Sequence, residues 1–172
     1  EKIILFVGSF AWFQNVQAVN WLVKDIFPQI KKEIPNVNLL IVGHNVPDSV
    51  KKIREDGINF DETVEDIREA YKKASVFLAP LRSGSGTKYK ILEAMACGVP
   101  VVTTSVGAEG IGGFEETMIV REKTEDLATA AVDILQNPQK YSEMAKRARK
   151  MVEEKFDWEI IGEKLDNLIK SL

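Results

Sequence analysis

The sequence predicts a doubly wound α/β domain, a parallel sheet with helices on both faces and ligands at the carboxyl ends of its strands. Three observations carry this. Apolar runs of strand length, Ile3–Val7, Leu39–Val42 and Val76–Pro80, lack the alternation of a half-exposed strand, as expected for strands covered on both faces. The stretches between them repeat apolar residues at helical spacing. Glycines stand where strands give way to loops, at Gly8, Gly43, Gly84 and Gly107. The 172 residues suit one domain with a sizeable core. With 45% hydrophobic and 28% charged residues, neither disorder nor a membrane span is indicated. A net charge of −3 argues against nucleic acid as a partner. One cysteine, Cys97, and one histidine, His44, leave no disulfide framework and no Cys/His zinc site, so a reducing cytoplasm is the expected compartment. The opening at Glu1, with a strand already beginning, suggests a piece of something longer.

Taken in order, Ile3–Val7 is the first strand and ends in Gly8-Ser9-Phe10. Val16, Val19, Leu22, Val23, Ile26, Ile30 and Ile34 keep the helical period, with a kink expected at Pro28. Asn38–Gly43 is the second strand, and His44 lies just past its end. Pro47-Asp48-Ser49 starts a short helix that Gly57 is expected to stop; Ile58–Phe60 is a short third strand. Thr63-Val64-Glu65-Asp66 resembles a capping box, with Asp66 where Glu is usual. Val76–Pro80 is the fourth strand. The next helix carries Ile91, Leu92, Ala94, Met95 and Ala96, stops at Gly98, and leads into the strand Val99–Thr103. Met118–Val120 is a last short strand. Thr124 is expected to cap one helix, Pro138 to open another, and Asp157 to cap the last, which carries Ile160, Ile161, Leu165, Leu168, Ile169 and Leu172. That apolar stripe is wide for packing on one sheet face.

The sheet rule sends Gly8-Ser9, Gly43-His44, Arg82–Thr87 and Thr103–Gly107 to one crevice. The loop Gly84-Ser85-Gly86-Thr87 opens a helix whose free N–H groups and dipole favour an anion. Arg82, Lys88 and Lys90 surround that helix start, with no carboxylate between Arg82 and Leu92. Lysines in a first helical turn oppose the dipole by roughly 0.3–1 kcal/mol each, a cost that a bound anion reverses. Arg82 and Lys88 are therefore expected at the anion, and Lys90 in solvent. Cys97 reads as a small packed side chain, since no histidine partner is evident. Trp12-Phe13 either lines or closes over the crevice, or else packs its own loop or meets a further domain.

The run GTKYKILEAMACGVPVVTTSVGAEGI resembles the donor-binding half of GT-B glycosyltransferases of family 4, the group 1 glycosyltransferases. The Phe-Val-Gly-Ser-Phe opening, Thr63–Ile67, Ala74–Pro80 and Phe156-Asp157-Trp158 extend the likeness over nearly the whole chain. The resemblance implies a Rossmann-like domain spanning 1–172. Its last helix, from about 157 to 172, would cross to an N-terminal domain of similar size. It implies an enzyme that moves a sugar from a nucleoside diphosphate to an acceptor such as a polysaccharide or glycolipid, with retention at the anomeric carbon. Glu93 matches the second glutamate of the family's E-x7-E motif and would hold the ribose hydroxyls. Eight residues earlier the first glutamate is replaced by Ser85, which puts sugar specificity in doubt.

Gly8, Ser9, Gly43, His44, Thr63, Val64, Gly84, Ser85, Gly86, Thr87, Ile91 and Glu93 would line the nucleotide sugar, with Thr63-Val64 near the base. Many relatives aim an Arg and a Lys at the diphosphate from the loop after the first strand. Here Ser9 takes the first place, and Gln14-Asn15 supply no cation. The resemblance then leaves Arg82 and Lys88 to stabilise the leaving diphosphate, with the N–H groups of Ser85 to Thr87. No D-x-D sequence occurs, so neither a metal nor a further cofactor is expected. The expected partners are the nucleotide sugar and the N-terminal domain, with peripheral membrane contact through that domain. Two other readings stand beside this one, a stand-alone nucleotide-binding or regulatory module and a nucleotide-sugar epimerase. The epimerase would need catalytic motifs that are not evident.

Overall fold

The computed structural model describes residues 1–53 and 56–171. Six parallel strands form one sheet in the order β3-β2-β1-β4-β5-β6. They are β1 (Ile3–Val7), β2 (Asn38–Val42), β3 (Ile58–Asp61), β4 (Val76–Ala79), β5 (Val101–Thr103) and β6 (Ile119–Val120). β1 is central and pairs with β2 from Ile3↔Asn38 to Val7↔Val42, and with β4 at Ile4↔Val76 and Leu5↔Phe77. The helices between strands are α1 (Phe13–Trp21), α2 (Phe27–Glu33), α3 (Asp48–Lys51), α4 (Ile67–Lys73), α5 (Tyr89–Ala96) and α6 (Ser105–Ala108). After β6 come α7 (Thr124–Gln136), α8 (Ser142–Lys155) and α9 (Trp158–Lys170).

The strand period of two divides the core. Ile4, Phe6, Val76 and Leu78 pack against α1, α2 and α7, while Leu5, Phe77 and Ala79 pack against α4, α5 and α8. All seven are fully buried. Burying one large aliphatic or phenyl side chain stabilises by roughly 1.5–3 kcal/mol, so both helix layers are held by the same strands.

Several boundaries depart from the sequence reading. The kink expected at Pro28 is a widened turn at Leu22–Ile26, where Phe27 N–H bonds back to the Leu22 carbonyl. Proline offers no N–H to the carbonyl of Lys24, and the wider turn accommodates its ring one turn early. Asp66, not Thr63, is the N-cap of α4: its carboxylate accepts the Arg68 N–H at 3.0 Å, while Thr63 N–H turns back to Asp61 at 2.9 Å. The Arg68 guanidinium beside it holds the Asp66 carboxyl down at about 2. Helix α3 ends at Lys51, well short of Gly57, which instead leads into β3. Thr124 opens α7, but its hydroxyl serves Trp21, accepting the indole N–H at 2.9 Å. The loop after β5 contains α6, capped by Thr104. Gly98 ends α5 in the left-handed conformation and Asp157 caps α9, both as expected.

Helix α9 buries none of its residues. Trp158, Ile161, Leu165, Leu168 and Ile169 form an exposed apolar stripe along it. Leu172, expected on the same stripe, lies outside the described residues. Among the described residues no helix is long and apolar enough to cross a membrane.

Candidate functional site

From β1 the chain winds outward through β2 and β3, then returns to the other side of β1 for β4, β5 and β6. The crevice therefore opens between the carboxyl ends of β1 and β4, where the strand order reverses. Its floor on the β1 side is backbone packed against backbone. Gly8 N–H donates to Val42 O, Gly43 N–H to Asp61 O and Phe10 N–H to His44 O, each at 3.0 Å. Gly43 has φ 146°, and a Cβ there would stand 1.8 Å from the Gly8 carbonyl oxygen. Only glycine allows β1 and β2 to end this close together. Gly8, Gly43 and the His44 backbone are thus one assembly, with the His44 side chain exposed.

On the β4 side, Thr103 Oγ1 donates to Ala79 O at 2.7 Å and Thr104 Oγ1 donates to Leu81 O, tying the strand ends together beneath the loop. The loop runs through Gly84, Ser85 and Gly86 to Lys88, the residue that precedes α5. Ser85 and Gly86 are exposed. Among the described residues, the N–H groups of Ser85, Gly86 and Thr87 donate to no carbonyl. These are the free donors anticipated at the helix start.

The cations are arranged otherwise than expected. Arg82 does not reach α5: its guanidinium lies 3.7 Å above the ring of Trp21, which the Thr124 hydroxyl holds in place. Lys88 Nζ donates to the carbonyl of Gly86 within its own loop and pairs with Glu109 at 3.3 Å. The window from Arg82 to Leu92 holds no carboxylate, but the fold brings Glu109 to it from the end of α6. Lys90, expected in solvent, is largely buried. Its Nζ donates to Asn15 Oδ1 and sits 4.9 Å from the centre of the Phe6 ring. Asn15 in turn donates from Nδ2 to Ser9 O at 2.7 Å. A Cβ on Gly8 would stand 2.9 Å from both Lys90 Nζ and Asn15 Cγ, so Gly8 leaves room for this pair. Burial lowers the Lys90 ammonium to about 8. Lys90 and Asn15 were legible in one respect: Lys90 is four residues before the buried Ala94, in phase with the inward face of α5.

Glu93 is exposed, yet one of its oxygens is fixed. The hydroxyl of Tyr71, a fully buried residue on α4, donates to Glu93 Oε2 at 2.9 Å. Burial and the Glu93 carboxylate push the Tyr71 phenol up, so it remains a donor. Glu93 faces a hollow of about 360 Å³ lined by Thr87, Tyr89, Leu92, Phe156, Trp158 and Ile161. Ile91, expected at the ligand, is fully buried and its N–H is bonded to Lys88 O at 2.9 Å. Thr63 is held by Asp61, and Val64 packs against the core layer of α4, α5 and α8. Both lie past the end of β3, two strands from β1. Burial raises the Cys97 thiol, which keeps it protonated and unreactive, as read from its neighbours. Among the described residues, no three His, Cys, Asp or Glu side chains are placed to hold a metal ion.

Residues 1–137 match the model of the family described as glycosyl transferases group 1. The chain belongs to this family. One relative is 31% identical over 160 residues, the GDP-mannose-dependent monoacylated alpha-(1-6)-phosphatidylinositol monomannoside mannosyltransferase of Corynebacterium glutamicum. That match covers 84% of this chain and 42% of the relative. Among solved structures, TarM superposes with a TM-score of 0.83 at 20% identity, over 98% of this chain and 35% of TarM. Anabaena HepE in complex with UDP and glucose superposes with a TM-score of 0.74 at 19% identity, over 99% of this chain and 48% of HepE. At these identities the two structures establish the fold alone, and it is the fold of this group 1 glycosyltransferase. The chain spans less than half the length of the curated relatives it matches.

Proposed function

We propose that this chain is the donor-binding half of a retaining glycosyltransferase. It holds a nucleoside-diphosphate sugar at the crevice between β1 and β4, while a second half of the enzyme brings the acceptor. The observation that carries this reading is Glu93. An exposed carboxylate one turn into α5, oriented by a buried tyrosine hydroxyl at 2.9 Å, keeps lone pairs free for two vicinal hydroxyls. A ribose presents such a pair, and its diphosphate then falls towards the open N–H groups of Ser85, Gly86 and Thr87. The names of the relatives agree with such a ligand: one uses GDP-mannose, and HepE was solved with UDP and glucose.

In the reaction, negative charge grows on the diphosphate as the bond to the sugar breaks. Donors fixed in advance around that oxygen lower the barrier. Lys88 belongs to this set through its loop, with Gly86 O and Glu109 as its partners in the free chain. Arg82, expected at the diphosphate, is stacked on Trp21 in the free chain. Ser85 in place of an acidic residue leaves the donor sugar unspecified. The apolar stripe of α9 is where this reading seats the second half.

A thermal-shift panel tests the proposal. UDP, GDP, ADP and the corresponding sugar nucleotides should each be compared with the bare nucleoside. At least one diphosphate should raise the melting temperature in a concentration-dependent way, and by more than its nucleoside. No response to any diphosphate at millimolar concentration overturns the donor reading.

A further inference from the structure

A lysine largely withdrawn from water is normally paired with a carboxylate, because an unpaired buried charge is costly. Lys90 has none. Among the described residues its ammonium meets one neutral acceptor, Asn15 Oδ1, and the face of Phe6. The elements that enclose it offer no anion: β1, α1 and β4 contain no charged residue, and the intervening Gly8–Trp12 loop is uncharged as well. The charged groups that bear on it are on its own helix and at the residue that precedes it, and they oppose each other. Glu93 one turn along favours the ammonium, and Lys88 disfavours it. From α4 only the Tyr71 hydroxyl approaches, and it donates to the Lys90 carbonyl at 3.1 Å. Yet the ammonium stands under Gly8, at the strand end that borders the crevice, where the backbone leaves just enough room for it. The arrangement holds a cation in place without giving it a counter-charge.

We propose that the missing counter-charge is the diphosphate of the bound ligand, that Lys90 is its principal side-chain cation, and that Lys90 takes up a proton as the ligand binds. The proposal rests on the donor reading above. Before binding, burial outweighs Glu93 and lowers the ammonium to about 8, so near that pH a fraction of the chains carry neutral Lys90. A diphosphate within reach favours the charged form and raises the value in the complex. The contribution of Lys90 to affinity is therefore constant below about pH 8 and falls as pH rises from there towards the value of the complex.

Calorimetry with UDP, GDP and inorganic pyrophosphate tests this at pH 7 and pH 8, each in two buffers of different ionisation enthalpy. With UDP or GDP, whose phosphates are already ionised at pH 8, about half a proton should be taken up per ligand at that pH, and much less at pH 7. Lys90→Met should weaken all three ligands roughly ten- to hundredfold and abolish the uptake. Lys90→Arg, charged throughout this range, should bind without uptake, and melting curves of both variants check that they fold. Diphosphate binding with no proton uptake, and unchanged in Lys90→Met, would overturn the proposal and leave the donor reading standing. Pyrophosphate binding with uptake but no binding of UDP or GDP would keep the Lys90 assignment and remove the nucleotide. If no ligand binds, both fail. In the free chain, an NMR titration of Lys90 that coincides with the exposed lysines also overturns the proton coupling.

Discussion

Replacing Glu93 by Gln separates ribose recognition from folding. The amide oxygen can still accept from Tyr71 at the position now occupied by Oε2, 2.9 Å away, and the residue is exposed. Stability should therefore change by no more than about 0.5 kcal/mol. Binding should change far more. A hydrogen bond to a charged group is worth about 1.5–3 kcal/mol, which is about ten- to hundredfold in affinity. Because the ribose is common to nucleoside and diphosphate, both should lose affinity by a similar factor, and pyrophosphate should lose little. Lys90→Met should show the converse pattern, sparing the nucleoside. Tyr71→Phe should fall between wild type and Glu93→Gln, since it keeps the carboxylate and removes only its anchor. Calorimetric titration of the nucleoside, UDP or GDP and pyrophosphate against each variant supplies the comparison. If Glu93→Gln binds as wild type but melts several degrees lower, the carboxylate is a structural partner of Tyr71 and the ribose assignment is wrong.

Two further outcomes follow from the geometry. Gly43→Ala places a methyl 1.8 Å from the Gly8 carbonyl oxygen at a φ of 146°, so the ends of β1 and β2 must part. Strain alone costs about 1–3 kcal/mol, and broken bonds between Gly8 and Val42 add about 1 kcal/mol or more; a urea midpoint shift worth less than about 1 kcal/mol would contradict this packing. For α9, hydrogen exchange from Asp157 onward should be much faster than in β1 and β4, and Leu165→Asp with Leu168→Asp should leave the melting temperature nearly unchanged. Protection equal to the central strands, in a strict monomer, would mean that the helix belongs wholly to this domain.

What the sequence reveals and what it hides differ in physical origin. Strands and helices were legible because they depend on periodicity within a few residues. The run Ile3–Val7, the stop at Gly98 and the cap at Asp157 appear where the pattern puts them, and the run Val76–Pro80 forms a strand that ends one residue early, at Ala79. Strand order was not legible, since β4 returns to the far side of β1 for reasons that lie in the packing of both helix layers. Neither was the choice between Thr63 and Asp66 as cap: the same four residues allow both, and Asp61 claims Thr63.

The cations show the same division at the site itself. A lysine or arginine has a long flexible stem, and its charge settles wherever the fold provides a partner. For Arg82 that partner is Trp21, for Lys88 it is Glu109, and for Lys90 it is Asn15, 75 residues away in sequence. Counting charges along the loop therefore does not give the partners that the fold supplies. The residue assigned to solvent is the one that was drawn beneath the strand end. Lys90 lies within α5, four residues before Ala94, whereas Lys88 stands before its first residue and turns to its own loop and to Glu109. The partner each cation finds, and not its place in the loop, fixes where its charge lies. On this argument the two lysines are not equivalent: Lys88→Met should weaken diphosphate binding less than Lys90→Met does.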